Sequence, residues 1–316
     1  MSEKPAISIL IPACNEEAFI GATLAHLEPL AEGEVEVLVG LDGCTDGTEG
    51  IVRSFPFVRV FSWPDRRGKS AVLNDLGRQA RAPVRIVHDV DWTLVANRAS
   101  LARLAEDFRD DSLGAVALPP HNLPFDVERS QVRSRTFRMA AIAVNRLHEF
   151  LLEKQCLSTP AGLFVDRSRI VFPMPINIYR AEAVGELSTV ADDFERFEQI
   201  AADPRWKIKV YNSPGEPYFS ITRKSFSFSE HYRRRVRGHL ARAQMAPSRS
   251  AVSADFRRQF LRWCWAQRRR LGRDLLDIAV WLGIIAVARY HAGLLMRGGV
   301  PSAGEAWKMR DSRKTP

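Results

Sequence analysis

Several features that would settle a function class are missing from this sequence. Its 316 residues include only four cysteines, Cys14, Cys44, Cys156 and Cys264, and no two stand at the close spacing of a zinc ribbon, an iron–sulfur ligand set or a redox pair. Nothing in that pattern suggests a disulfide framework, so a reducing, cytoplasmic setting is the expectation. No apolar signal segment follows the polar opening Met1-Ser2-Glu3-Lys4-Pro5. The longest apolar stretch, residues 278–288, lies between Asp277 and Arg289. It falls short of the roughly 20 residues a spanning helix needs and reads as packed or interfacial. No Gly-x-Gly-x-x-Gly follows residues 7–11, which argues against a dinucleotide-dependent dehydrogenase. Internal repeats are absent, and no nucleic-acid motif accompanies the basic residues, so nucleic acid is not an expected partner.

Charge is present but unevenly spread. Residues 1–222 hold 25 Lys and Arg against 31 Asp and Glu, net −6, whereas residues 223–316 hold 21 against 6, net +15. An acidic body therefore precedes a basic region suited by long-range attraction to phosphate-rich partners: anionic lipid, a diphosphate or nucleic acid. The length suits a body of about 220 residues with an appendage. The expected organisation is 1–225 as a catalytic domain, divided into 1–118 and 119–225, followed by a basic helical region 226–316.

Periodicity along the first half alternates between the two regular patterns. Residues 7–11, 35–41, 58–61, 84–88 and 113–118 read as strands, and residues 16–30, 68–80, 99–108 and a stretch from Asp46 read as helices. Strands alternating with helices of this length predict an α/β fold with a mostly parallel sheet covered on both faces. Residues 127–153 read as one long amphipathic helix through Met139, Ile142, Ala143, Leu147, Phe150 and Leu151. Residues 162–179 read as strand and loop, residues 194–202 as a short helix and residues 207–211 as a strand. Beyond Ser225 a basic helical stretch begins at residues 229–238 and continues over 255–273, with Phe256, Phe260, Trp263, Cys264 and Leu271 on its apolar stripe.

Four acidic or amide clusters carry the chemistry, three of them closing predicted strands: residues 12–16, residues 41–48, residues 88–91 and residues 191–193. Ligands of open α/β sheets bind outside the carboxyl ends of the strands, so these clusters should meet at one crevice. Asn15 is a good cap for the helix that follows it, and the turn exposes backbone amides where a nucleotide can lie. Asp46 can cap the next helix, whereas Asp42 has no capping duty; it either meets a base or ribose or builds an Asx turn. Strand alternation would put Asp89 and Asp91 on one face, where they meet a divalent ion or line a solvated loop. Lys69 opens a helix pointing to the same edge, to steady a diphosphate or simply to sit at a surface. One of Asp192 and Asp193 can cap a helix while the other projects into the crevice. There, burial and its acidic neighbour raise its proton affinity toward that of a general base.

Taken in order, these residues resemble family 2 glycosyltransferases of GT-A fold over roughly residues 5–240. The opening strand and nucleotide loop is similar to Ile7-Ser8-Ile9-Leu10-Ile11-Pro12-Ala13-Cys14-Asn15-Glu16-Glu17, and the Asp-Asp-Gly-Ser-x-Asp-Gly-Thr element to Leu41-Asp42-Gly43-Cys44-Thr45-Asp46-Gly47-Thr48. Gly68-Lys69-Ser70-Ala71-Val72-Leu73-Asn74, Asp89-Val90-Asp91 and Asp192-Asp193 resemble the Gly-Lys helix, the Asp-x-Asp motif and the Glu-Asp pair. The chain departs from the family at Leu41, Cys14 and Asp192, and it lacks the Gln-x-x-Arg-Trp form of the basic segment.

The resemblance implies a Rossmann-like GT-A sheet with a basic helical extension and transfer of a sugar from a nucleoside diphosphate sugar to an acceptor hydroxyl, inverting and Mg2+- or Mn2+-dependent. Pro12, Ala13, Cys14, Glu16 and Asp42 would line the base, Asp89 the ribose, Asp91 the metal, and Lys69, His231, Arg234 and Arg235 the diphosphate. Asp193 would be the base, with Asp192 assisting it. A nucleotidyltransferase is the second enzyme reading, and a non-enzymatic basic binder the competing class. Trp263, Trp265, Phe260 and Trp281 beside Arg262, Arg268, Arg269 and Arg270 suit a membrane interface, so residues 256–296 are read as a peripheral attachment near a lipid-linked acceptor or polysaccharide precursor. Packing of these helices on the body or on a second subunit, giving a homo-oligomer, is the other reading.

Overall fold

The computed structural model describes residues 5–31, 33–118, 135–170, 172–189, 192–213, 215–220 and 255–297, with single positions between 228 and 240. Its centre is a nine-stranded sheet ordered β3-β2-β1-β4-β9-β6-β10-β8-β7. The strands are β1 (Ile7–Ala13), β2 (Val35–Asp42), β3 (Val58–Trp63), β4 (Val84–Val87), β6 (Leu113–Ala117), β7 (Cys156–Thr159), β8 (Gly162–Val165), β9 (Ile176–Arg180) and β10 (Lys207–Val210). β3, β2, β1 and β4 run parallel, as do β6 and β10, while β9 is antiparallel to both β4 and β6. β7 and β8 form a hairpin on the far edge. A separate two-stranded ribbon pairs β5 (Thr93–Val95) with β11 (Tyr218–Ser220). The predicted α/β fold with a largely parallel sheet is the observed one; β5, β7 and β11 are additions the periodicity did not reveal, each being only three or four residues long.

The period of two along each strand sends alternate residues into two cores. Leu10, Leu38 and Val87 face one side, where they meet Val72, Leu73 and Leu76 of α3 (Lys69–Gln79) and Met139, Ala143 and Phe150 of α5 (Arg135–Gln155). Ile9, Ile11, Val37, Val39 and Ile86 face the other. There they are covered by Ile20, Leu24 and Leu27 of α1 (Ile20–Leu27), Val52 of α2 (Thr48–Arg53) and Leu101 and Leu104 of α4 (Arg98–Asp107). Cover on both faces is why the strands read as near-continuous apolar runs.

The carboxy-terminal helices are α7 (Phe256–Ala266), α8 (Arg268–Leu271) and α9 (Asp274–Met296), with α6 (Asp192–Ala202) preceding β10. Phe260, Trp263, Leu271, Ile278, Trp281 and Ile284 share the core that α5 forms with the sheet. Arg146 on α5 pairs with Asp274 at 2.7 Å, and Trp263 Nε1 donates to Glu153 at 2.6 Å. The apolar run at 278–288 sits within a continuous 23-residue helix, longer than the sequence pattern suggested, and α9 is long and apolar enough by length and composition to cross a membrane. One face of it packs on the body.

Candidate active site

The strand order reverses between β1 and β4, since β2 and β3 lie to one side of β1 and β4 to the other. Crevices form at such switch points, outside the carboxyl ends of the strands. Ala13, Asp42 and the residues after Val87 end there. The loops after β1 and β2 are fastened to each other side by side. Asn15 adopts φ 52°, and its Oδ1 accepts the Thr45 amide at 2.8 Å; the Glu16 amide donates to Thr48 Oγ1 at 2.7 Å, and the Gly47 amide to Glu17 Oε2 at 2.8 Å. Asn15 therefore does not cap α1, which starts at Ile20 after Phe19. Asp46 does serve the start of α2, its Oδ1 accepting the Thr48 amide at 3.0 Å. Ala13 and Glu16 are buried, and Pro12 and Cys14 are half-buried along the same loop.

Asp42 has a structural duty, though not the Asx turn that the sequence offered as one of its two roles. Its two carboxylate oxygens accept the amides of Arg67 at 2.6 Å and Gly68 at 2.9 Å, and the residue is 3% exposed. It pins the loop that leads into α3. Two glycines make that possible. Gly43 has φ 61°, and a Cβ there would stand 2.8 Å from the Arg66 backbone nitrogen, while Gly68, at φ 94°, turns the chain into α3.

Asp89-Val90-Asp91 lies beyond the end of β4, in a turn closed by the Trp92 amide donating to the Asp89 carbonyl at 3.0 Å. The two-residue alternation of a strand thus does not govern these carboxylates; the turn does. His88 before them is fully buried. Burial lowers its pKa to about 4, so it stays neutral, and its Nε2 accepts the Leu94 amide at 3.3 Å.

At the start of α3, the Lys69 ammonium sits 2.8 Å from Asp89 Oδ1 and 3.0 Å from Asp192 Oδ1. Asp192 is 3% exposed, and its other oxygen lies 2.7 Å from Nη1 of Arg196, a fully buried side chain. Arg196 also donates to the Ile176 carbonyl and to Asn177 Oδ1. Burial opposes ionisation of Asp192, but the Lys69 and Arg196 charges outweigh it and hold the carboxyl below its ordinary value. Lys69 is held above its own ordinary value against the cost of burial by Asp192 and Asp89. Asp193, half-buried beside them, shifts the other way: burial first, then the Asp192 charge, raises its proton affinity. Asp192 is consequently held as a charged anchor between Lys69 and Arg196, whereas Asp193 keeps a proton more readily than an ordinary carboxyl.

The loop that delivers these aspartates is clamped at two points. Asn74 Nδ2 donates to the Leu187 carbonyl at 2.8 Å while its Oδ1 accepts the Leu187 amide at 2.9 Å, and Glu195 accepts the amides of Ser188 and Thr189. A cavity of about 250 Å³ opens between Arg67, Lys69, Ser70, Asn74, Leu187 and Ser188. Arg196 and Glu195 carry this geometry but were not singled out from sequence; their spacing after Asp192 is that of any charged helix face. His231 and Arg234 lie outside the described residues; Arg235 is half-buried.

Among the described residues, no three His, Cys, Asp or Glu side chains converge into a metal cage. The carboxylate of Asp91 is the hard oxygen donor type that Mg2+ or Mn2+ takes, one or two carboxylates holding such an ion while phosphate oxygens and water complete the shell. Side-chain exposure of 40% leaves the Asp89 carboxylate accessible to a ligand.

Residues 8–159 match the family model described as Glycosyl transferase family 2. The probable glycosyltransferase YdaM of Bacillus subtilis (strain 168) is 35% identical over 102 residues, which is 29% of this chain and 24% of that protein, so the chain matches about a quarter of the curated relative's length. The mannosyltransferase PcManGT of Pyrobaculum calidifontis, solved with GDP-Man and Mn2+, is similar in fold: the TM-score is 0.51 at 17% identity, over 94% of this chain and 79% of that one. Glucosyl-3-phosphoglycerate synthase of Mycobacterium tuberculosis, solved with Mn2+, UDP and glucosyl-3-phosphoglycerate, overlaps 79% of this chain and 81% of its own at 17% identity and TM-score 0.48.

Proposed function

From the match of residues 8–159 to the Glycosyl transferase family 2 model, we propose that this protein transfers a sugar from a nucleoside diphosphate sugar to an acceptor hydroxyl with inversion at the anomeric carbon. The observation that carries the reading is Lys69, whose ammonium joins Asp89 of the donor turn to Asp192 beside the base, more than 100 residues later in the chain. Two motifs so far apart in sequence meet around one cation because they serve one reaction.

The loop of Pro12, Ala13, Cys14 and Glu16 forms the wall for the base, braced by the loop that Asp42 holds. Asp89 would accept from the ribose, and Asp91 would ligate the ion. A bound Mg2+ or Mn2+ supplies charge neutralisation at the departing diphosphate. Lys69, released from Asp89 when the ribose takes its place, has its charge beside the same leaving group. Asp193 takes the acceptor hydroxyl proton as that oxygen attacks in line, and its raised proton affinity suits it to the task. Asp192 keeps its negative charge and fixes the base's position. The acceptor is a lipid-linked or polysaccharide precursor at a cytoplasmic membrane surface, a reading supported by the arginines of α7 and α8 beside the apolar α9.

A thermal-shift screen of nucleoside diphosphate sugars with and without Mn2+ tests the donor. A true donor at about 100 times its Kd stabilises by roughly 2.7 kcal/mol. Asp91→Asn removes the Mn2+-dependent part of that shift. Asp193→Asn keeps the shift and loses about 100- to 10,000-fold in turnover; loss of the shift together with turnover would contradict its role as base.

A further inference from the structure

The membrane reading above rested on four aromatics, and the structure redistributes them. Phe260, Trp263 and Trp281 are buried, at 1%, 5% and 4% exposure, and belong to the core; only Trp265, at 70%, faces outward. A different set of side chains takes their place at the surface. On α9, Leu276 is 71% exposed, Val280 46%, Val287 58%, Tyr290 68% and Leu294 40%. At 100° per residue these five fall on one stripe, opposite the stripe of Ile278, Trp281, Ala288 and Ala292 that packs inward. Ala279, Gly283 and Ala286 fill the outward face between them. From 278 to 288 no charged residue occurs on any side of the helix. A helix apolar on both faces has both faces covered, and among the described residues only one is packed against the body.

The flanking chemistry identifies the cover. Residues 255–297 contain nine arginines and three aspartates. The outward face of α7 is Arg257, Arg258, Leu261, Arg262 and Trp265, followed by Arg268, whose guanidinium lies 4.9 Å from the Trp265 ring centroid. Of the three acids, Asp274 is turned inward onto Arg146, Asp277 is half-buried, and Asp255 stands at the far start of α7. A symmetric contact between two copies would lay this arginine field against itself, a repulsive arrangement. An anionic bilayer satisfies both features at once: its headgroups meet the guanidinium groups and an indole at interface depth, and its acyl region meets the apolar stripe.

We propose that the outward faces of α7 and α9 form a monotopic docking surface for an anionic lipid bilayer, with α9 lying along the membrane plane. Spanning is disfavoured because the inward stripe is fixed to the core and Asp274 to Arg146. This deepens the membrane reading of the site but rests on its own observation, so it stands or falls apart from sugar transfer.

The test is flotation of the full-length protein with vesicles of phosphatidylcholine alone or mixed with phosphatidylglycerol. Binding is expected only with the anionic mixture and should fall steeply between about 0.1 M and 1 M salt, as the Debye length shrinks from about 10 to 3 Å. Replacing Arg257, Arg262 and Arg269 together by Gln should weaken binding about a hundredfold, near fivefold for each arginine at an anionic surface. Val287→Asp and Leu276→Asp, both at exposed positions, should abolish flotation with an unchanged circular dichroism spectrum and unchanged turnover of a soluble acceptor analogue. Failure to float on anionic vesicles overturns the proposal. So does a concentration-dependent dimer that Val287→Asp dissociates, which would make a second copy the cover. Loss of turnover in all variants with flotation intact would likewise refute the surface assignment while leaving lipid binding to another part of the chain.

Discussion

The crevice at the ends of β1, β2 and β4 and the outward side of α7 to α9 are both rich in charge, yet they hold it in opposite ways. In the crevice the buried charges are engaged by fixed partners. Asp42 holds two amides, Lys69 bridges two carboxylates, and Arg196 is wholly enclosed by Asp192, Asn177 and a carbonyl. Along α7 the arginines stand in solvent beside Leu261 and Trp265, and α9 turns aliphatic groups outward. Enclosed charge fixes geometry because an unpaired buried ion is costly; exposed charge acts at a distance and leaves geometry alone. The crevice is thus preorganised, and the helical side is a surface awaiting a partner.

Three measurements break or sharpen that contrast. The largest effect belongs to the pH dependence of turnover. As the proposed base Asp193 would work only when ionised, and its proton affinity is raised by burial and by Asp192, so activity should fall with decreasing pH at a point above the ordinary carboxylate value of about 3.9. Asp192→Asn removes the neighbouring negative charge and should move that acid limb to lower pH; a limb that stays fixed would show that Asp193 is not the group being titrated.

The next concerns stability. Arg196→Met leaves Asp192 buried with one partner fewer, and loss of one member of a buried pair costs about 3–5 kcal/mol, readable as a lower urea midpoint. The sign with pH follows from Asp192, whose native pKa is lowered. Its contribution is complete above its unfolded value of about 3.9 and disappears as pH falls through the native one, so wild type and Arg196→Met should converge in strong acid. A difference that persists there would assign the loss to packing.

The smallest effects separate the two faces of α9. Ile278→Ala, at a position 2% exposed, should cost about 2–5 kcal/mol. Val287→Ser, nine residues on and 58% exposed, should change stability by no more than about 0.5 kcal/mol. Equal losses would mean that the outward face is already packed.

The alternation of strands and helices was legible because local periodicity reports directly on which faces are buried, and the motif order brought the crevice into view. Pairing across the chain was not legible. Asn15 looked like a cap because Asn caps helices, yet its partner is Thr45, thirty residues away on the adjoining loop. Asp42 showed no local partner beyond an Asx turn because the amides it accepts belong to Arg67 and Gly68, beyond the next strand. Asp89 and Asp91 were assigned to a strand that ends at Val87, since an apolar run does not announce where its ladder of hydrogen bonds stops. Among the aromatics near the carboxyl terminus, composition gave the right chemistry for an interface but not which side chains face it. That depends on how α7 rolls against α5, where Phe150 packs edge-on against Phe260 and Trp263.

Asn74 uses both ends of its amide on the backbone of a single residue, Leu187. That grip joins the helix bearing Lys69 to the segment bearing Asp193, so the two drift in common mode, and thermal jitter on either side largely cancels in the separation between them. Under the proposed reaction, any rearrangement that admits an acceptor would have to carry Lys69 along with Asp193.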